Sequence, residues 1–174
     1  MLKNLTFLMF SINILFAHPH TFIEVYPAIE VKNNQIVNLD FRWELDEMSS
    51  AMLIMEFDQN NNGKIDKNEN IFVEQNYFKP LVEYNFYTDV KIKDKIQTLV
   101  KPTNFKAGIL NNKIIYSFSM KINHNIKDIK FDFGDEDFFV AMILKKEFVK
   151  IIGAKAKVSD LDNDFYFGYR LEIE

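Results

Sequence analysis

Two stretches far apart in the chain alternate apolar and polar residues with a period of two. Val37, Leu39, Phe41, Trp43 and Leu45 interleave with Asn38, Asp40, Arg42 and Glu44. Near the C-terminus Phe165, Phe167, Tyr169, Leu171 and Ile173 interleave with Tyr166, Arg170 and Glu172. Only a pleated strand sends alternate side chains to opposite faces, so each stretch reads as a strand with one buried face. Thr21 to Val31 is a further strand, joined to the first alternating stretch across Asn33-Asn34. A second hairpin falls at Asn111-Asn112, followed by an apolar face of Ile114, Tyr116, Phe118, Met120 and Ile122. Asparagine tolerates the left-handed backbone that tight hairpin turns demand. Ile129 to Phe133, Phe138 to Leu144 and Phe148 to Val158 add three more strands.

One segment breaks this β pattern. Asp46 to Phe57 has helical spacing, with Met48, Met52 and Met55 on one stripe, and Asp66 to about Lys79 reads as a second helix that Pro80 stops or kinks. The methionine stripe is expected to pack in the core, as such stripes mostly do, rather than to form an open groove for a partner helix. Between the helices Asp58 to Glu69 spells DQNNNGKIDKNE. Asp at position 1, Asn at 3 and 5, Gly at 6, a β-branched residue at 8, Asp at 9 and Glu at 12 is the spacing of an EF-hand calcium loop. Ca²⁺ takes six to eight oxygen ligands. Asp58, Asn60 and Asn62 would give side-chain oxygens, Lys64 a backbone carbonyl, Asp66 an oxygen directly or through water, and Glu69 both carboxylate oxygens. Gly63 allows the turn that wraps the chain round the ion. A polar loop that merely imitated the pattern would need neither Gly63 nor the apolar Ile65 after it. With three carboxylates and two amides the loop is weakly acidic, which points to a dissociation constant of about 10⁻⁴–10⁻³ M, suited to an extracellular setting. A second acidic run, Asp160 to Asp164, lacks both the glycine and the closing glutamate and reads as a turn.

The first residues carry an address. Lys3 is followed by an apolar run from Leu5 to Phe16 and a small residue, Ala17. This is the pattern of a secretory signal peptide, too short to span a membrane as a helix. Residues 1–17 are expected to be removed and 18–174 to form a single mature domain, with 46–80 as the helical insertion. The chain has no cysteine, which excludes a disulfide framework, thiolate metal sites and thiol nucleophiles. Loss of Lys3 leaves 20 basic against 25 acidic side chains, a charge of −5. An acidic chain without a Lys/Arg cluster is not a nucleic-acid binder. Fifteen of the eighteen phenylalanines lie beyond Ala17 and supply a core without disulfide staples.

Cleavage after Ala17 would free the α-amine of His18. That amine and the His18 imidazole chelate one ion, and His20 adds a second imidazole; such nitrogen donors suit Zn²⁺, Ni²⁺, Co²⁺ or copper. Pro19 has no N–H, so the square-planar mode through deprotonated backbone amides is closed. Asp46, Glu47 and His124 are further candidate donors, provided the fold brings them near; His124 lies in a turn-like Asn-His-Asn run. The unadorned alternative is a frayed, solvated terminus.

Several blocks together resemble a known family. They are Ala17-His18-Pro19-His20-Thr21-Phe22-Ile23, then Trp43 to Ser49, the EF-like loop, Tyr84-Asn85-Phe86-Tyr87-Thr88, and Phe133 to Val140. In this order they resemble a bacterial domain-of-unknown-function family, number 1007, whose members are described as periplasmic components of uncharacterised ABC-type transport systems. The resemblance implies a periplasmic location and a link to a membrane transporter of nickel, cobalt or zinc. The last block departs from the family's usual Asp-Pro-Thr-Tyr-Tyr: here it is Asp135-Glu136-Asp137-Phe138-Phe139, without the proline and the phenols.

The sequence therefore predicts an α+β fold: one antiparallel, β-rich domain of sandwich-like sheets with a helix–EF-hand loop–helix insertion. The function expected is exported, non-catalytic metal handling, with no membrane span after processing. The alternatives are a calcium-stabilised interaction module and an N-terminal-histidine metalloenzyme. The enzyme finds little support, since the chain has three histidines and no nucleophile elbow, His-Glu-x-x-His helix or phosphate loop.

Overall fold

The computed structural model describes residues 20–97, 101–122, 124–162 and 167–174. Two sheets are stacked as a sandwich. The first is built on a long hairpin, β1 (Thr21–Lys32) with β2 (Gln35–Leu45), extended by β6 (Lys113–Ser119) and β5 (Thr103–Leu110) beyond β2. The second runs β10 (Ala156–Asp162), β11 (Phe167–Ile173), β7 (Ile129–Phe133), β3 (Thr88–Ile92), β4 (Lys95–Ile96) and is antiparallel throughout. Both predicted Asn-Asn turns are present. Asn33 and Asn34 have φ of 51° and 59°, and Asn111 and Asn112 have 51° and 60°, the left-handed pair that matches hairpin twist.

The free edge of β1 departs from the antiparallel expectation. β8 (Val140–Ile143) pairs with Thr21–Glu24 and β9 (Lys150–Ile152) with Ala28–Glu30, both parallel to β1. A hairpin forces antiparallel pairing; β8 instead arrives from β7 of the opposite sheet and is free of that constraint. The single strand predicted over Phe148–Val158 is split. β9 lies in the first sheet and β10 in the second, with Gly153 at the corner. Gly153 has φ +84°, and a Cβ there would lie 2.1 Å from the carbonyl oxygen of Val31. Only glycine fits that crossing.

The inward faces meet in an aromatic core. Phe41 of β2 stands edge-on to Phe131 and Phe133 of β7, with centroids 6.5 and 6.0 Å apart. Trp43 is fully buried and packs against Phe118 at 5.0 Å. Val37 leaves the predicted buried face. Val31 pairs with Ile36 and Glu30 with Asn38, so Val37 is the extra residue of a bulge, and Ile36 takes the inward place. Phe167 is exposed as well, because it pairs with Asp162 at a ribbon end that β7 does not reach.

Two helices interrupt the sheets. α1 (Glu47–Phe57) is capped by Asp46 and α2 (Lys67–Val73) by Asp66; α2 continues as a π-helical turn, Glu74–Phe78, and Pro80 opens the 3-10 segment Lys79–Tyr87. α1 docks through Ser49, Ser50, Leu53, Ile54 and Phe57. The buried Ser50 hydroxyl donates to the Leu45 carbonyl and accepts from the Ile114 N–H, tying the helix to β2 and β6. That choice of face overturns the expected burial of the methionines. Met48, Met52 and Met55 are 66%, 58% and 77% exposed. Among the described residues no helix is long and apolar enough to cross a membrane.

Candidate functional site

The loop from Asp58 to Glu69 sits between α1 and α2, with its side-chain oxygens turned onto its own backbone. Asp58 accepts from the N–H groups of Asn62 (2.9 Å) and Gly63 (2.8 Å). The Asn60 side-chain oxygen also accepts from Asn62, and that of Asn62 accepts from Lys64 at 2.9 Å. Glu69 reaches back to the N–H groups of Asn60 (3.3 Å) and Asp66 (2.8 Å). Asp66 caps α2 through the N–H groups of Asn68 and Glu69, closing a reciprocal capping box. Gly63 has φ +77° and Asn61 has φ 57°, the left-handed positions that let the chain curl.

Asp58 and Glu69 are each only 5% exposed. Neither forms an ion pair with Lys, Arg or His among the described residues. Backbone N–H groups meet part of the cost of burying these carboxylates, and a cation would supply the counter-charge. Each carboxylate oxygen keeps a lone pair beyond its backbone hydrogen bond. The donors are thus all oxygen, in calcium-loop order. No group of three or more His, Asp or Glu side chains stands close enough to hold a metal among the described residues. Asp66 is engaged as a cap, so a bound calcium ion would need the Asn60 and Asn62 amides and the Lys64 carbonyl beside the carboxylates.

The second predicted site is at the start of β1. His18 lies outside the described residues. His20 is exposed; its N–H donates to the Phe139 carbonyl at 2.9 Å, and its ring stacks on Phe139 with centroids 6.0 Å apart. Asp46 is close by but engaged, since its two oxygens accept from the N–H groups of Phe22 and Ser49, each at 2.9 Å. Burial pushes its pKa up, but these N–H donors outweigh burial and hold it below the ordinary carboxylate range. Glu47 is exposed in the first turn of α1. His124 does not belong to this cluster. Its neighbour Asn125 bridges to Gln35, the first residue of β2, which pairs with Lys32 at the far end of β1, about 36 Å from Thr21 at ~3.3 Å per strand residue.

Four of the five blocks that carry the family resemblance, all but the EF-like loop, meet in space. Thr21 pairs with Val140, the Ser49 hydroxyl donates to that of Thr21 at 3.1 Å, and the Gly134 N–H donates to the Tyr87 carbonyl. Beside this junction lies an acidic cleft of about 280 Å³ that residue patterns had not singled out. Glu83, Tyr84, Tyr87, Asp89, Glu136 and Asp137 line it. Its floor is held by three successive left-handed residues, Asn85, Phe86 and Tyr87, with φ of 48°, 52° and 48°. Burial, with Asp135 and Asp137 adding to it, pushes the Tyr87 hydroxyl up to about 12. Asp135 organises the opposite wall by accepting from the N–H groups of Asp137, Phe139 and Val140. The only sequence signal for the cleft was that two of those blocks, Tyr84 to Thr88 and Phe133 to Val140, form its walls.

Residues 4–160 match the family described as "Protein of unknown function (DUF1007)". Two uncharacterized proteins are similar to this chain. The chain is 28% identical over 136 residues to an uncharacterized protein of Haemophilus influenzae, a match covering 72% of this chain and 62% of that protein's length. It is 27% identical over 97 residues to an uncharacterized 15.5 kDa protein in the trpE 3' region of Spirochaeta aurantia, covering 54% and 69% of the two chains.

Proposed function

The chain belongs to the DUF1007 family of proteins of unknown function, and from its own residues we propose an exported, non-catalytic metal-handling protein with a calcium-binding EF-hand-type loop. The observation that carries the reading is the pair of buried carboxylates, Asp58 and Glu69, beside a left-handed Gly63 turn, with no ion pair to either among the described residues. Ca²⁺ held by Asp58, Asn60, Asn62, Lys64, Asp66 and Glu69 would neutralise that charge and fix α1 against α2. Calcium at millimolar external concentration would keep a site of this affinity from about half to about nine-tenths filled without any signal, so the role proposed is structural.

The transition-metal half of the proposal rests on the amino terminus. The signal-like run Leu5–Phe16 supports export to the periplasm, and cleavage after Ala17 would make His18 and His20 a nitrogen chelate for Zn²⁺, Ni²⁺ or Co²⁺. His20 stands at the junction of the family's blocks, which supports that end as the place where cargo is taken up. A membrane transporter of the ABC type is the proposed recipient.

Thermal melting tests both halves. Calcium at about ten times its dissociation constant contributes ~1.4 kcal/mol, a rise of roughly 3–6 °C for a domain of this size. Glu69→Gln is expected to abolish the rise. The His18→Ala, His20→Ala form should keep the calcium shift and lose that of nickel, cobalt or zinc. A calcium response equal in wild type and Glu69→Gln would remove the loop from the proposal.

A further inference from the structure

α1 presents an exposed face whose apolar members are almost all of one kind. Met48, Met52 and Met55 are i, i+4 and i+7, so they follow one another along a single stripe, neighbouring Cβ atoms about 5–6 Å apart. All three are more than half exposed. The other methionines among the described residues, Met120 and Met142, are buried at 4% and 2%. The same helix turns its branched side chains the other way, for Leu53 and Ile54 pack against the core. Methionine serves apolar docking surfaces as well, so what separates the two uses of this face is whether its thioethers bind a soft ion.

Thioether sulfur is a soft, neutral donor that carries no proton. It has little affinity for Ca²⁺ and favours soft, low-charge ions, Cu(I) above all. Unbranched methionine side chains have three rotatable bonds, so neighbours one turn apart can converge on one ion without moving the helix. The helix is anchored beneath them by Ser50 and Phe57 and at its N-terminus by the Asp46 cap. We propose that Met52, together with Met48 or Met55 one turn away, forms a binding site for a soft monovalent metal ion, Cu(I) or its redox-inert analogue Ag(I). The site uses neither the calcium loop nor the amino-terminal histidines, and stands or falls apart from the reading above.

The test is titration of the purified protein, labelled with ¹³C at the methionine methyl groups, with silver nitrate in chloride-free buffer. The methyl signals of Met52 and of Met48 or Met55 are expected to shift and saturate near one ion per chain while those of Met120 and Met142 stay in place. Substitution of all three by Leu conserves volume at exposed positions and should leave melting unchanged while weakening Ag(I) binding at least tenfold. His18→Ala with His20→Ala should leave the methionine shifts intact. Methyl signals that do not move, or that drift without saturating, would overturn the proposal. Equal Ag(I) affinity of the triple-Leu form would do the same, and is the behaviour of a merely apolar face.

Discussion

Asp132 and Asp58 are both buried acids, and the chain treats them differently. Asp132 of β7 is 1% exposed and answered in full. Arg170 grips it with two hydrogen bonds of 2.6 and 2.7 Å, and the Lys91 ammonium stands 2.6 Å away. Burial pushes its pKa up, but the bonds from Arg170 and Lys91 outweigh burial and hold it below the ordinary range. A depressed folded pKa makes a stability term that is full above the unfolded value of about 3.9 and lost as pH falls through the folded one. Urea unfolding followed by the single, fully buried Trp43 should therefore give constant stability above ~pH 5 and a decline below ~pH 4. Asp132→Asn strands two cations and is expected to cost about 3 kcal/mol at pH 7 while flattening the acid limb. An acid limb as steep in the variant as in wild type would show that other carboxylates set it. Asp58 and Glu69, each 5% exposed, have no ion-pair partner among the described residues, and that contrast supports the proposed calcium ion in the loop.

At the scale of elements, two kinds of sequence signal had different value. Period-two patterning located β2 and β11, and the paired asparagines located both hairpins, because strand faces and turn conformations are set by a few adjacent residues. Capping was equally local, and Asp46 and Asp66 begin their helices as their side chains dictate. Which face of α1 is buried was not local. It depends on Ser50 meeting the Ile114 N–H sixty-four residues away, and no periodicity encodes that partner. The same holds for the corner at Gly153, where an apparently continuous strand changes sheets. Any side chain there would enter the Val31 carbonyl in a positive-φ backbone. Gly153→Ala is thus expected to cost at least about 2 kcal/mol, with β9 and β10 losing amide protection first. Ala tolerated without loss of melting temperature would mean that the crossing is looser than its geometry implies.

On the scale of the whole molecule, the helical insertion and the sandwich are wired together by polar contacts set in an apolar core. The Ile114 N–H of β6 ends on Ser50 of α1, and the Ala107 N–H of β5 ends on Asn70 of α2 at 2.7 Å. Phe57 stacks edge-on with Tyr77 at 4.6 Å, and Phe78 reaches Trp43 at 6.3 Å and Phe105 at 4.2 Å. The Asp58–Glu69 loop joins α1 to α2 at one end of this arrangement. An ion holding Asp58 to Glu69 would restrain the C-terminus of α1 and the N-terminus of α2 together. Local opening of either helix must break a bond to a different strand, so the restraint should be felt in the first sheet as well as in the loop. Hydrogen exchange gives the readout. Millimolar calcium is expected to slow exchange at Ala107 and Ile114 along with the loop amides of Asn62 and Gly63, and to leave β11 unchanged. Glu69→Gln should remove the effect everywhere. Ser50→Ala, at a cost of about 1–3 kcal/mol for the orphaned Ile114 N–H, should remove it at β6 and keep it in the loop. Calcium protection confined to residues 58–69 in wild type would show that the insertion folds and breathes independently of the sheets on which it rests.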